Sequence, residues 1–256
     1  MYQLSRLCAG RLALCLTLIG AGLAQPAFAQ AKSKAGSSLG PVAVLELFTS
    51  QGCSSCPPAD RLFELYAKRT DVVALTMPVD YWDYLGWKDT LASPRYSQRQ
   101  RQYAKSRGDG AVYTPQIVVN GKVHTVGSKQ SEIDKTIQSL SKTAMIVKPV
   151  LRKVGDHLEI RIPDGPTSMG QGEFTVWFAS VQTKADVGVR RGENRGEVLS
   201  YFNVVRNISA IGMWTGTAKT YQVPLHSVQH ASAEKCAVLL QRGKGGPIVG
   251  AAWYGH

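Results

Sequence analysis

The segment that most restricts the fold runs from Val42 to Tyr66. Val42 to Thr49 (VAVLELFT) is a mostly apolar run rich in strand formers, the pattern of a buried central strand. Cys53-Ser54-Ser55-Cys56 follows at once, and Leu62, Phe63, Leu65 and Tyr66 then recur at helical spacing. Two cysteines three residues apart on a first helical turn can close a short disulfide. A helix N-terminus also offers unsatisfied N–H groups and partial positive charge, which stabilise a thiolate, the attacking species in thiol–disulfide exchange. Taken alone, the residues leave three readings open: a redox pair, a structural disulfide, or a pair of metal ligands.

The start of the chain bears on that choice. Arg6 and Arg11 form a positive region, Leu12 to Ala24 is an apolar run of thirteen, and Ala27-Phe28-Ala29 gives a small-x-small cleavage site. This is the layout of a secretory signal peptide over residues 1–29, and the run is too short to span a bilayer. Leu14 before Cys15 disfavours a lipid anchor. The expectation is a periplasmic or secreted protein, in an oxidising space, without a transmembrane segment after cleavage. Cleavage removes two of the five cysteines and leaves Cys53, Cys56 and Cys236, too few for a disulfide scaffold. The full chain carries a formal charge of +12. For an exported protein lacking a recognisable binding motif, that basic balance does not argue for nucleic acid.

Residues 30–41 read as a flexible leader. Over residues 42–143 the order is strand, helix, strand, helix, hairpin, helix. Val72 to Val79 is a second buried strand. Ser93 to Arg107 is a helix with Ser-Pro at its start and Gly108 past its end. Asn120-Gly121 turns a hairpin, and Ser131 to Leu140 is a helix with Ser131-x-x-Asp134 as its capping box. From 144 to 256 the texture changes to short alternating strands separated by Gly-rich turns, such as Leu158, Ile160 and Ile162 or Phe174, Val176 and Phe178. The expected fold class is an α/β domain over 42–143 followed by an all-β sandwich-like domain over 144–256.

Phe48, the CxxC, and Thr114-Pro115 entering a strand that closes in an Asn-Gly hairpin together resemble the thioredoxin-like superfamily. ELFTSQGCSSCPPAD, VDYWDYLGW, VYTPQIVVNG and RRGENRG resemble, more narrowly, a secreted bacterial thioredoxin-like family of unassigned function. The resemblance implies a thioredoxin-like first domain and a cis-proline at Pro115 beside the cysteines. It further implies catalytic Cys53 and Cys56 acting on protein or peptide thiols and disulfides, with Thr114 and Pro115 docking the substrate. By family analogy Cys53 attacks and Cys56 resolves, although Pro57-Pro58 starts the helix near Cys56 and gives that thiol more of the helix dipole. The superfamily often carries a buried acid six residues before the first cysteine, where this chain has Leu47. Glu46 is adjacent and is the candidate proton relay, although it should face the other side of its strand.

Around the site, Tyr81, Trp82, Tyr84 and Trp87 could line a substrate groove, or pack an inserted segment onto the domain. Arg95, Arg99, Arg101, Lys105 and Arg107 read as a solvated helix face, or as an attraction for an acidic partner or an anionic membrane surface. The Arg190–Gly196 stretch (RRGENRG) is a loop that either binds an anion or salt-bridges to the first domain. Cys236 reads as a buried, inert thiol, or as a redox partner for the CxxC or an intermolecular bridge. Two alternatives stand beside an exported thiol–disulfide oxidoreductase. One is a non-catalytic binding or assembly protein with a structural disulfide; the other is a Cu(I)-handling protein using Cys53, Cys56 and His124. No motif implies a resident metal or other non-protein cofactor, and oligomeric state is not encoded in any motif.

Overall fold

The computed structural model describes residues 40–141, 145–170, 172–228 and 233–255. The signal-like segment and most of the leader lie outside them. β1 (Ala43–Thr49) leads through the CxxC turn into α1 (Pro57–Ala67) and back to β2 (Val72–Pro78). After an insertion come α2 (Pro94–Arg107), the hairpin β3 (Gln116–Val119) and β4 (Val123–Val126), and α3 (Gln130–Ser141). β5 (Val150–Val154) and β6 (His157–Ile162) precede two long strands, β7 (Phe174–Gly188) and β8 (Val198–Trp214). β9 (Lys219–Pro224), the single-turn α4 (Leu225–Val228), β10 (Lys235–Arg242) and β11 (Ile248–Tyr254) complete the described residues.

One mixed sheet of eight strands organises these elements, in the order β11-β10-β7-β8-β2-β1-β3-β4, and β5-β6-β9 form a separate sheet of three. Every residue of β2 is buried, so both of its edges need partners. β1 lies parallel along one edge, from Ala43 opposite Val72 to Thr49 opposite Pro78. β8 takes the other edge, pairing at Thr76 and Val204, and the Thr76 hydroxyl donates to the Phe202 carbonyl at 2.6 Å. This corrects the expected fold class. The chain is not an α/β thioredoxin-like domain followed by a separate all-β sandwich, because strands from before and after residue 144 share one predominantly β framework. The alternating pattern marks strands in this half, but two of them are long rather than short, β7 of 15 and β8 of 17 residues, and no local pattern names β8 as the partner of β2.

Alternation along β1 sets the layers. Ala43, Leu45 and Leu47 pack against Ala59, Phe63 and Tyr66 of α1 and Ile133 and Ile137 of α3. Val44 and Phe48 face the other way, onto Tyr96 and Tyr103 of α2. Further along the sheet, Phe174, Val176 and Phe178 pack with Leu158, Ile160 and Ile162 of the small sheet. Fully burying one such side chain contributes about 1.5–3 kcal/mol.

Local signals hold well. Ser93 caps α2 by accepting from Arg95 N–H, and Gly108 ends it in the left-handed region at φ +80°. Asn120 and Gly121 both have positive φ, as their hairpin requires. Gly121 also lies against the Gly246 carbonyl, which an added Cβ would meet at 2.6 Å. The expected capping box is not used: α3 begins at Gln130, and Asp134 accepts from the Tyr66 hydroxyl at 2.9 Å.

Candidate functional site

The CxxC turn is built as its sequence suggests. Cys53 N–H donates to Ser50 O and Cys56 N–H to Cys53 O, each at 3.2 Å, winding the chain into α1. Cys56 is the helix N-cap, and Pro57 and Pro58 occupy positions where a helix needs no N–H partner. Cys53 and Cys56 form a disulfide, with Cα atoms 5.4 Å apart. Both cysteines are buried, at 2% and 0% exposure, while Ser54 and Ser55 between them face solvent.

The loop joining β7 to β8 hydrogen-bonds to this turn. Asn194, itself buried, donates through Nδ2 to the carbonyls of Gln51 (2.9 Å) and Cys53 (3.0 Å). Glu193 accepts from Ser54 N–H at 3.2 Å. Val189 and Gly196 close the loop on itself at 2.8 Å. The three arginines of the stretch stay exposed, so its contact with the cysteine turn is made by Glu193 and Asn194 instead.

The aromatic insertion braces the same turn from below. Trp87 Nε1 donates to Gln51 Oε1 at 2.8 Å, and Asp89 Oδ2 accepts from Gln51 N–H at 2.8 Å. Trp82 Nε1 donates to Thr114 Oγ1 at 2.7 Å, and the Thr114–Pro115 peptide is cis. An added Cβ on Gly127 would meet Leu47 at 2.9 Å, Ala59 at 3.0 Å and Pro115 at 3.2 Å. The proline loop therefore lies beside the first turn of α1. Tyr81 donates to Gln100 Oε1 at 3.2 Å, and Tyr81 and Trp82 pack on the core below α2. The structure thus brings Cys53, Cys56, Thr114, Pro115, Trp82 and Trp87 into one region.

Glu46 lies elsewhere, on the α2 side of the sheet and fully buried. Arg99 Nε meets Glu46 Oε1 at 2.6 Å, and Tyr103 donates a short hydrogen bond to Oε2. Arg99 further donates to Tyr103 (2.7 Å) and Gln241 (3.1 Å). Its guanidinium lies 5.1 Å from the Trp177 ring centroid. Arg99 is therefore core, not part of a solvated basic face. His124 is engaged by Tyr113 and Asp109. Among the described residues, no three His, Cys, Asp or Glu side chains gather to hold a metal. Cys236 is buried in the apolar cluster of β6, β7 and β10, which pushes its thiol up to about 12.

Sequence reasoning missed Asn194, Gln51, Asp60 and Asp89. Asp60 is buried on α1, where desolvation pushes its carboxyl up to about 8. Asp89 is likewise buried, and desolvation raises it to about 6 against the N–H groups of Gln51 and Leu91. A buried Asp in a first helical turn is indistinguishable in sequence from an ordinary dipole-favouring acid. Asn194 sits in a loop whose composition signals only a turn.

Residues 44–241 match the family described as protein of unknown function, DUF1223. The chain belongs to the DUF1223 family. An X-ray crystal structure of a structural-genomics target from Agrobacterium tumefaciens is similar at 35% identity and a TM-score of 0.73, over 84% of this chain and 95% of that one. HBP35 of Porphyromonas gingivalis shares the fold at 12% identity and a TM-score of 0.58, over 85% of this chain and 76% of that one. No curated protein matches the chain. Among the described residues, no helix of this DUF1223 member is long and apolar enough to cross a membrane.

Proposed function

We propose that this DUF1223 protein exchanges disulfides with protein or peptide thiols through Cys53 and Cys56, after export to a periplasmic or extracellular space. The observation that carries the reading is the Cys53–Cys56 disulfide closed at the N-cap of α1, with cis-Pro115 packed beside that turn. The arrangement resembles the redox centres of the thioredoxin-like superfamily. The helix N-terminus favours a thiolate, and the thiolate is the species that attacks. Cys56 has no exposed surface while Cys53 keeps 2%, which supports Cys53 as the attacking sulfur and Cys56 as the resolving one. Thr114 and Pro115 would present backbone to an extended substrate, with Tyr81, Trp82 and Trp87 beneath it. Glu46, paired with Arg99 on the other face of the sheet, has a structural role in this reading.

A second reading has an observation of its own: Asn194 and Glu193 seal the turn. A sealed disulfide suits a non-catalytic binding protein whose CxxC is a staple. Equilibration against glutathione and dithiothreitol separates the two. A reduction potential between roughly −120 and −270 mV is expected for an exchange-active pair, and a value below about −300 mV would mark the bond as structural. In the active case, Cys56→Ser accumulates mixed disulfides that alkylation preserves on a non-reducing gel.

A further inference from the structure

Beneath the CxxC turn lies a cluster of buried polar atoms around Asp60. Cys56 already has helical backbone, with φ −80° and ψ −35°, and Asp60 N–H donates to its carbonyl at 3.1 Å. The two side chains therefore share one face of α1, one turn apart. Asp60 is 3% exposed, and neither of its carboxyl oxygens completes a hydrogen bond. A buried polar group without a partner is costly and uncommon in native folds, so this one needs a physical reason.

Three other elements converge on it. Thr49 ends β1, Asp89 comes from the insertion, and Tyr201 comes from β8. Thr49 Oγ1 and Tyr201 Oη are also buried without a hydrogen bond. Burial chiefly raises the Asp60 carboxyl, to about 8; Thr49 pulls it down, Asp89 adds to the rise, and Arg61 opposes it. Tyr201 is raised by burial and then by Asp60 and Asp89. A carboxyl tuned that high matches the ordinary thiol range, near 8.5. Proton transfer is most effective between groups so matched.

We propose that Asp60 takes and returns the Cys56 proton during disulfide exchange. The assignment rests on the redox reading above. In the mixed disulfide, Cys53 Sγ is bonded to a substrate sulfur and Cys56 is a thiol. The Asp60 carboxylate accepts the Cys56 proton, and the resulting thiolate attacks Cys53 Sγ. The Cys53–Cys56 bond forms as the Cys53–substrate bond breaks, and the electron pair leaves on the substrate sulfur. That sulfur takes a proton from the Asp60 carboxylic acid, directly or through solvent. The substrate sulfur is reduced, the cysteine pair is oxidised, and Asp60 returns to its starting state.

The test uses the reduced full chain with glutathione disulfide, quenched in acid and read by mass spectrometry between pH 6 and 9. Formation of the Cys53–glutathione adduct and its resolution are timed separately. In Asp60→Asn, resolution near neutral pH should slow by at least about a hundredfold, the low end of what a positioned proton acceptor contributes, while adduct formation keeps its rate. Resolution at the wild-type rate, with the wild-type pH midpoint, overturns the proposal and leaves exchange itself intact. A wild type that forms no adduct overturns the exchange reading instead, and this one with it. Should Asp60→Asn fail to fold, carboxyl 13C NMR of the wild type decides. Asp60 should titrate near 8 in the disulfide form, leaving a minority carboxylate at neutral pH to accept the proton, and titrate higher once reduction places a thiolate beside it. An Asp60 ionised at pH 6 in both forms overturns the proposal.

Discussion

Replacing Asp60 by Asn should remove most of the pH dependence of folding stability above pH 6. The Asp60 carboxyl titrates near 8 in the fold against an ordinary 3.8. The folded chain keeps this proton through a range where the unfolded chain has lost it. Stability from this group is therefore full below about pH 4 and drains away as pH rises toward 8. Asp89, raised to about 6, contributes to the same fall only up to that point. The interval from pH 6 to 8 thus reads Asp60, two units at about 1.4 kcal/mol each, or about 3 kcal/mol in all. That is a large part of the 5–15 kcal/mol typical of whole domains. Urea unfolding of the disulfide form at pH 6, 7, 8 and 9 provides the assay. The wild type should lose about 3 kcal/mol across the series, and Asp60→Asn should stay nearly flat. Parallel profiles for the two proteins would refute the argument, because the buried carboxyl would then not be holding a proton.

Two other substitutions separate the parts of the site. Asn194→Ala strips the carbonyls of Gln51 and Cys53 of their side-chain donor; it should cost about 1–3 kcal/mol and speed reduction of the disulfide by dithiothreitol, and an unchanged reduction rate would show that the loop does not guard the bond. Arg99→Met leaves Glu46 buried as an unpaired charge and should cost about 3–5 kcal/mol in urea unfolding, largely recovered by adding Glu46→Gln, with the reduction potential unmoved; a shifted potential would instead tie Glu46 to the redox chemistry.

Much of the site could be read from sequence because its information is local. The CxxC between an apolar run and a helical pattern, the Ser-Pro and Gly ends of α2, and the Asn-Gly turn each depend on a few adjacent residues. The cis form of Thr114–Pro115 was implied by resemblance rather than by any pattern. What escaped was information carried by distant pairs. A period of two in β8 specifies a strand without naming β2 as its neighbour, and so the joined sheet was read as two folds. Arg99 sits in a helix whose overall composition is polar, and only the buried Glu46 on the facing side of β1 shows why one guanidinium turns inward. Asp60 and Asn194 are ordinary residue types for a first helical turn and a loop. Their isolation from water follows from β8 and the β7–β8 loop, which no window around either residue contains.

Asn194 caps a carbonyl 141 residues earlier in the chain. A polypeptide that emerges N-terminus first therefore presents Cys53 and Cys56 naked, well before the residues that enclose them exist. The hydrogen bonds of Glu193 and Asn194 to the cysteine turn are added only after that exposure. In the order of synthesis, exposure of the pair thus precedes its enclosure. A chain ending within β7 would lack Glu193, Asn194 and β8, leaving the cysteine turn without its loop contacts and β2 with a bare edge, a surface ready to recruit strands from other chains.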